Sequence, residues 1–60
     1  MNESILRRPA VEGMTSLSRS SIYALMDRGE FPRPVRISKR AVGWYASEVR
    51  NWIATRPSSR

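Results

Sequence analysis

The sequence predicts a small α+β domain, a winged helix-turn-helix built from three helices and a two-stranded β-hairpin wing. Three observations carry that prediction. A helical stripe formed by Ile22, Leu25 and Met26 follows a much shorter helical stretch across a polar break at Thr15 and Ser16. Two prolines in three residues, Pro32 and Pro34, rule out a continued helix after Phe31 and lead into the alternation Val35, Arg36, Ile37. A last amphipathic segment carries Val49, Trp52 and Ile53 on one side.

Taken in chain order, Ile5, Leu6 and Arg7 form a short apolar stub with room for one brief N-terminal strand. Helix one follows from about Pro9 to Gly13 or Met14, with Ala10, Val11 and Met14 expected inward. Pro9 suits a first turn, where its missing N–H would have had no partner. Ser18 is placed to cap the second helix, which spans about residues 18–28 and stops at Gly29. Opposite its apolar stripe lie Ser20, Ala24 and Asp27, flanked by Arg19, Ser21, Tyr23 and Arg28. The wing covers about residues 35–45: a strand at Val35, Arg36 and Ile37, a turn at Ser38, Lys39 and Arg40, and a return strand from Ala41 to Tyr45. Gly43 marks a bulge or a close contact within it. The third helix runs from about Ala46 to Arg56, and Pro57 to Arg60 form a frayed tail.

A chain of 60 residues supports one hydrophobic core, since a domain of this size buries only about 60% of the surface its unfolded chain exposes. The expectation is a single domain over 1–60. With 40% apolar residues and five aromatic ones, the composition is that of a folded protein. There is no cysteine, which removes disulfides and thiolate metal sites and favours a reducing cytosol. Apolar runs fall far short of the roughly 18 residues that cross a bilayer, so a soluble cytoplasmic protein with no membrane partner is expected. With no His or Cys, and five carboxylates at no metal-binding or acid–base spacing, the sequence offers nothing for catalysis and no cofactor site.

Charge is the most informative bulk property. Eleven Lys and Arg stand against five Asp and Glu, a formal net charge of +6. In residues 1–30, Arg7, Arg8, Arg19 and Arg28 are matched by Glu3, Glu12, Asp27 and Glu30, whereas in residues 31–60 only Glu48 opposes the bases. A cationic second half points to a polyanionic partner. The same charge also serves simple solubility.

The element order supplies the chemistry. The second helix of such a fold can enter a major groove with its N-terminal residues at the base edges. Arg19 is the candidate for base readout, because a guanidinium bonds guanine O6 and N7 bidentately. Ser18, Ser20 and Ser21 suit phosphate oxygens, and Tyr23, one turn after Arg19, can donate to a phosphate or stack on a sugar. Arg36 faces out from the wing, and Lys39 and Arg40 at its tip can reach the backbone or the adjacent minor groove. Each residue also has a plainer reading. Ser18 is an N-cap, Arg19 a solvated surface residue, Tyr23 a half-buried edge ring, and Lys39 with Arg40 ordinary turn charges guarding a hairpin edge. Trp44 and Trp52 are expected in the core, since so small a domain needs large anchors.

The run from Thr15 to Tyr23, the segment Gly29 to Val35, the stretch Ala41 to Trp44, and Ser47, Glu48, Val49, Trp52 and Ile53 together resemble the AlpA family, over nearly the whole chain. These are prophage-type regulators with a MerR-like winged helix, related to phage excisionases. The resemblance implies sequence-specific binding of double-stranded DNA and control of nearby integrase or mobile-element genes, with Ser18 to Tyr23 on the recognition helix and Lys39 and Arg40 at the wing. It admits RNA polymerase or a phage integrase as a further partner, the latter if the protein acts as an excisionase-like accessory factor. Two positions depart from the family pattern. Ser16 stands where the family usually has Gly, so either the turn angle changes or Ser16 adopts a strained conformation. Gly13 replaces a larger residue, which implies a short or loose first helix. A rival of another class is a protein-interaction module without DNA affinity, and no feature of the sequence demands a dimer.

Overall fold

The computed structural model describes residues 3–57 and arranges them as β1 (Ile5–Leu6), α1 (Arg8–Thr15), α2 (Arg19–Asp27), β2 (Val35–Ser38), β3 (Ala41–Tyr45) and α3 (Ala46–Ala54). The α+β class, the three helices and the hairpin wing stand as the sequence predicts. Of the tail expected to fray, Pro57 is described and exposed, and 58–60 lie outside the described residues.

At eight residues, α1 is longer than expected. Pro9 fills its first turn at no hydrogen-bonding cost, and Gly13 lies inside the helix rather than ending it. The stop is Ser16, at φ 61° and ψ 20°, which donates its N–H to the Glu12 carbonyl at 2.8 Å. Ser16 thus adopts the left-handed conformation that Gly takes freely, one of the two outcomes expected at this departure. Thr15 supports the turn: its hydroxyl donates to the Val11 carbonyl at 2.8 Å and accepts from the Leu17 N–H at 3.2 Å. The inward placement of Ala10 and Met14 is corrected, as both are exposed. At 100° per residue the covered stripe runs through Arg8, Val11, Glu12 and Thr15, and Val11 alone is fully buried.

Ser18 caps α2 as its position predicts, its Oγ accepting the Ser21 N–H at 3.2 Å. Ile22 is buried, with Leu25 and Met26 half-buried beside it. The helix closes in a Schellman arrangement: Gly29, at φ 71°, donates to the Met26 carbonyl at 3.0 Å, and Glu30 donates to the Leu25 carbonyl at 2.8 Å.

The sheet is antiparallel throughout, in the order β1-β3-β2. The apolar stub at the N-terminus forms β1, pairing Ile5 with Tyr45 and Leu6 with Trp44. Ser38 belongs to β2, opposite Ala41, so the turn is the pair Lys39 and Arg40 rather than the three residues expected. Neither turn residue takes a positive φ, so the turn lacks the twist that two-residue hairpins favour. The bulge lies beside it at Ile37, between the pairs Arg36–Val42 and Ser38–Ala41, where it adds twist. Gly43 is the close contact. A Cβ there would collide with the Ile5 side chain and sit 2.9 Å from both Ile37 Cδ1 and the Leu6 carbonyl.

The core joins Val11, Ile22, Phe31, Trp44 and Val49, with Leu6, Leu17, Leu25, Met26, Trp52 and Ile53 packed around them. Each large apolar side chain so enclosed contributes about 1.5–3 kcal/mol. Trp44 is fully buried as expected, whereas Trp52 is half-buried, its ring edge-on to Phe31 at 4.8 Å and covered by the Arg56 guanidinium at 4.1 Å. The third helix starts at Ala46 as expected and ends at Ala54, two residues before Arg56. Its N-cap residue, Tyr45, has no capping side chain. The N-terminal segment does that work instead: Glu3 accepts the Ser47 hydroxyl at 2.7 Å and the Ser47 N–H at 3.1 Å, and the Ser4 carbonyl accepts the Ala46 N–H at 2.8 Å. The Ser47 hydroxyl, then the Ser47 N–H, with help from the Arg50 charge, hold the Glu3 carboxyl below its ordinary range.

Candidate nucleic-acid interface

The N-terminal turn of α2 presents Ser18, Arg19 and Ser20 to solvent, with Ser21 half-covered. Capping ties two of the hydroxyls together, since Ser18 Oγ also lies 3.1 Å from Ser21 Oγ. Ser20 makes no hydrogen bond through its side chain among the described residues. One turn on, Tyr23 is 38% exposed, and the Arg19 guanidinium lies 5.8 Å from its ring centroid. The ring is therefore a platform for Arg19 as well as a wall of what lies beneath it.

In the wing, Arg36 is not a free arm. Its Nη1 donates to the Lys39 carbonyl at 3.2 Å, which pins the guanidinium across the turn. Opposite residues on antiparallel strands share a face, so Arg36 and Val42 project to one side of the hairpin. Lys39 and Arg40 at the tip are exposed.

Helix and wing meet at a hollow of about 260 Å³. Tyr23 from α2 and Arg40 and Val42 from the hairpin line it, with Trp44 among its walls. The recognition-helix candidate and the wing candidate thus border one concavity. Arg7 and Arg8 line it too, brought there because β1 and α1 pack on β3. The sequence reading placed these two arginines in a neutral half and missed them as candidates. A charge count by halves hides their setting: Glu3 is engaged at the α3 N-terminus, and Glu30 pairs with Arg28 at 3.3 Å. Among the described residues, only Glu12, bonded to Arg8 at 2.8 Å, pairs with a charge that lines this hollow.

A wider groove of about 640 Å³ runs between the 29–35 connector and α3. Glu30 and Glu48 line it together with Arg33 and Arg56, a mixed lining poorly suited to a polyanion despite the larger volume. Among the described residues no cluster of His, Cys, Asp or Glu could hold a metal ion, and no helix is long and apolar enough to cross a membrane.

Set against known proteins, residues 4–57 match the family model described as prophage CP4-57 regulatory protein (AlpA). The chain belongs to the AlpA family. It is 45% identical over 58 residues to a protein of Enterobacteria phage P4 described as uncharacterized protein ORF88, covering 97% of this chain and 66% of that one. It is also 31% identical over 58 residues to the DNA-binding transcriptional activator AlpA of Escherichia coli K12, covering 87% of this chain and 83% of the relative. The chain thus spans about two thirds of the length of the phage P4 protein. The family model is that of a prophage regulatory protein, in keeping with the regulator that the sequence resemblance implied.

Proposed function

We propose that this AlpA-family chain is a sequence-specific double-stranded DNA-binding protein that regulates transcription of prophage or mobile-element genes from the bacterial cytoplasm. α2 enters the major groove, where Arg19 reads a base edge and Ser20 and Tyr23 meet the backbone. Ser18 and Ser21 hold the N-terminal turn and offer their remaining hydrogen-bonding capacity to phosphate. Lys39 and Arg40 take the backbone or the adjacent minor groove, with Arg36 bracing the wing. The observation that carries this reading is that Tyr23 and Arg40 border one hollow, so that a single duplex can face both elements.

The test is a selection of bound duplexes from random DNA, repeated at two salt concentrations. A shared motif is expected. Log affinity should fall with log salt at a slope of about −0.9 per phosphate neutralised, and Lys39→Ala with Arg40→Ala should flatten it by about one or two units. Affinity that ignores salt, or no retained duplex at all, overturns the reading. Footprints over a promoter are expected of a regulator, whereas a row of adjacent sites beside an attachment core would mark an excision factor.

A further inference from the structure

We propose that the hollow between α1, α2 and the wing seats one DNA backbone phosphate, gripped by Arg7 and Arg40 with the Tyr23 ring as its wall. This rests on the DNA-binding reading and adds to it a contact from outside both the recognition helix and the wing. Three guanidiniums, of Arg7, Arg8 and Arg40, line one hollow of about 260 Å³ with Tyr23. Like charges gathered in this way repel each other unless an anion joins them.

Their pairing state sorts their roles. The Nε of Arg8 is spent on Glu12 at 2.8 Å, so Arg8 is held half-covered in the wall. Arg7 and Arg40 are exposed and have no acidic partner among the described residues. Arg7 has no other evident duty: it stands at the α1 N-cap position, but its side chain makes no capping bond.

Size and setting select the ligand. The volume falls below the roughly 300 Å³ at which small-molecule sites begin, and the lining is cationic where such sites are mostly apolar. A phosphodiester oxygen needs only a shallow, donor-lined seat, which guanidinium forks provide. On one flank α2 exposes Arg19 and Ser20, and on the other the wing tip exposes Lys39. A backbone held in the hollow would therefore run between the two elements and set the depth at which α2 enters the groove.

The experiment uses the full chain and a duplex recovered by the selection above, in its natural form and with each phosphate replaced in turn by neutral methylphosphonate. Arg7→Gln and Arg40→Gln are each expected to weaken binding to the natural duplex about three- to tenfold. The double variant should lose about 0.9 of salt slope, the value of one phosphate. One methylphosphonate position should abolish the effect of both substitutions. Unchanged melting temperatures would confirm that the variants fold. If the wild-type chain binds but Arg7→Gln binds equally well, or if different phosphates silence the two variants, the clamp is wrong and the DNA-binding reading stands. If the wild-type chain retains no duplex, both fall together.

Discussion

The indole Nε1 of Trp44 donates to the carbonyl of Pro32 at 2.9 Å. Trp52 does the same from α3, its Nε1 reaching the Glu30 carbonyl at 2.7 Å. The connector between α2 and the wing contains Pro32 and Pro34, which have no N–H to offer, so its carbonyls are what the rest of the fold can hold. One tryptophan from the sheet and one from α3 therefore fix the path by which the helix leads into the hairpin. The relative placement of Arg19 and Arg40 depends on that path.

Trp44→Phe removes the donor, leaves the Pro32 carbonyl without it, and opens space at a side chain only 1% exposed. The expected cost is about 2 kcal/mol or more, summing an unmet carbonyl and a partly emptied site. Trp52→Phe should cost less, because Trp52 is half-buried and water can replace its bond. Urea unfolding of the two variants checks the order. Equal or reversed losses would show that the connector is not held chiefly from the sheet.

The two family departures predict stabilising substitutions. Ser16 sits at φ 61°, a conformation costing an L-residue about 1–2 kcal/mol. Ser16→Gly relieves that cost and adds about 0.5–1 kcal/mol of backbone entropy loss, leaving a net gain of about 0–1.5 kcal/mol. Gly13 lies inside α1, and a Cβ there would meet nothing within 4 Å. Gly13→Ala should gain about 1 kcal/mol from helix propensity alone. Denaturant midpoints read both, and a loss at either position would show that Ser16 is not strained or that Gly13 does not face open space.

What was legible in the sequence was local chemistry. Ser18 as a cap and Gly29 as a stop follow from hydrogen bonds made within a turn of the residue itself, and the wing tip follows from alternation on either side of Lys39 and Arg40. Ala10 and Met14 were misplaced because a helix of eight residues with one buried side chain leaves its phase almost free. The strand at Ile5 and Leu6 is too short to alternate, and what makes it one is its pairing with Tyr45 and Trp44 some forty residues away. Arg7 and Arg8 reach the hollow through that same long-range pairing, which no charge count along the chain reveals.

Glu3 gives the fold a pH dependence. Its carboxyl is held low by the Ser47 hydroxyl and N–H and by Arg50, so its folded value lies below its unfolded one. The stabilisation is therefore complete above the ordinary carboxylate range and is lost as the pH falls through and below it. Glu3→Gln should melt at a lower temperature than wild type at pH 7, with the gap closing as the pH falls below the carboxylate range. A gap that persists in acid would mean that the cap does not depend on the carboxylate charge.

Arg19 and Tyr23 make the sharpest separation between grip and reading. Their 5.8 Å spacing is near the outer limit of a useful cation–π contact, so the ring can guide the guanidinium while leaving its fork free for a base. Arg19→Ala should cost about 1–3 kcal/mol on the selected duplex and relax preference at one base pair. Arg19→Lys keeps the charge but loses the planar bidentate fork, so it should leave binding to random duplex unchanged and still fail to restore the preference. Affinities measured on the selected duplex, on its single-base variants and on random DNA separate these effects. Equal losses on every duplex would make Arg19 a phosphate contact and move base reading elsewhere on α2.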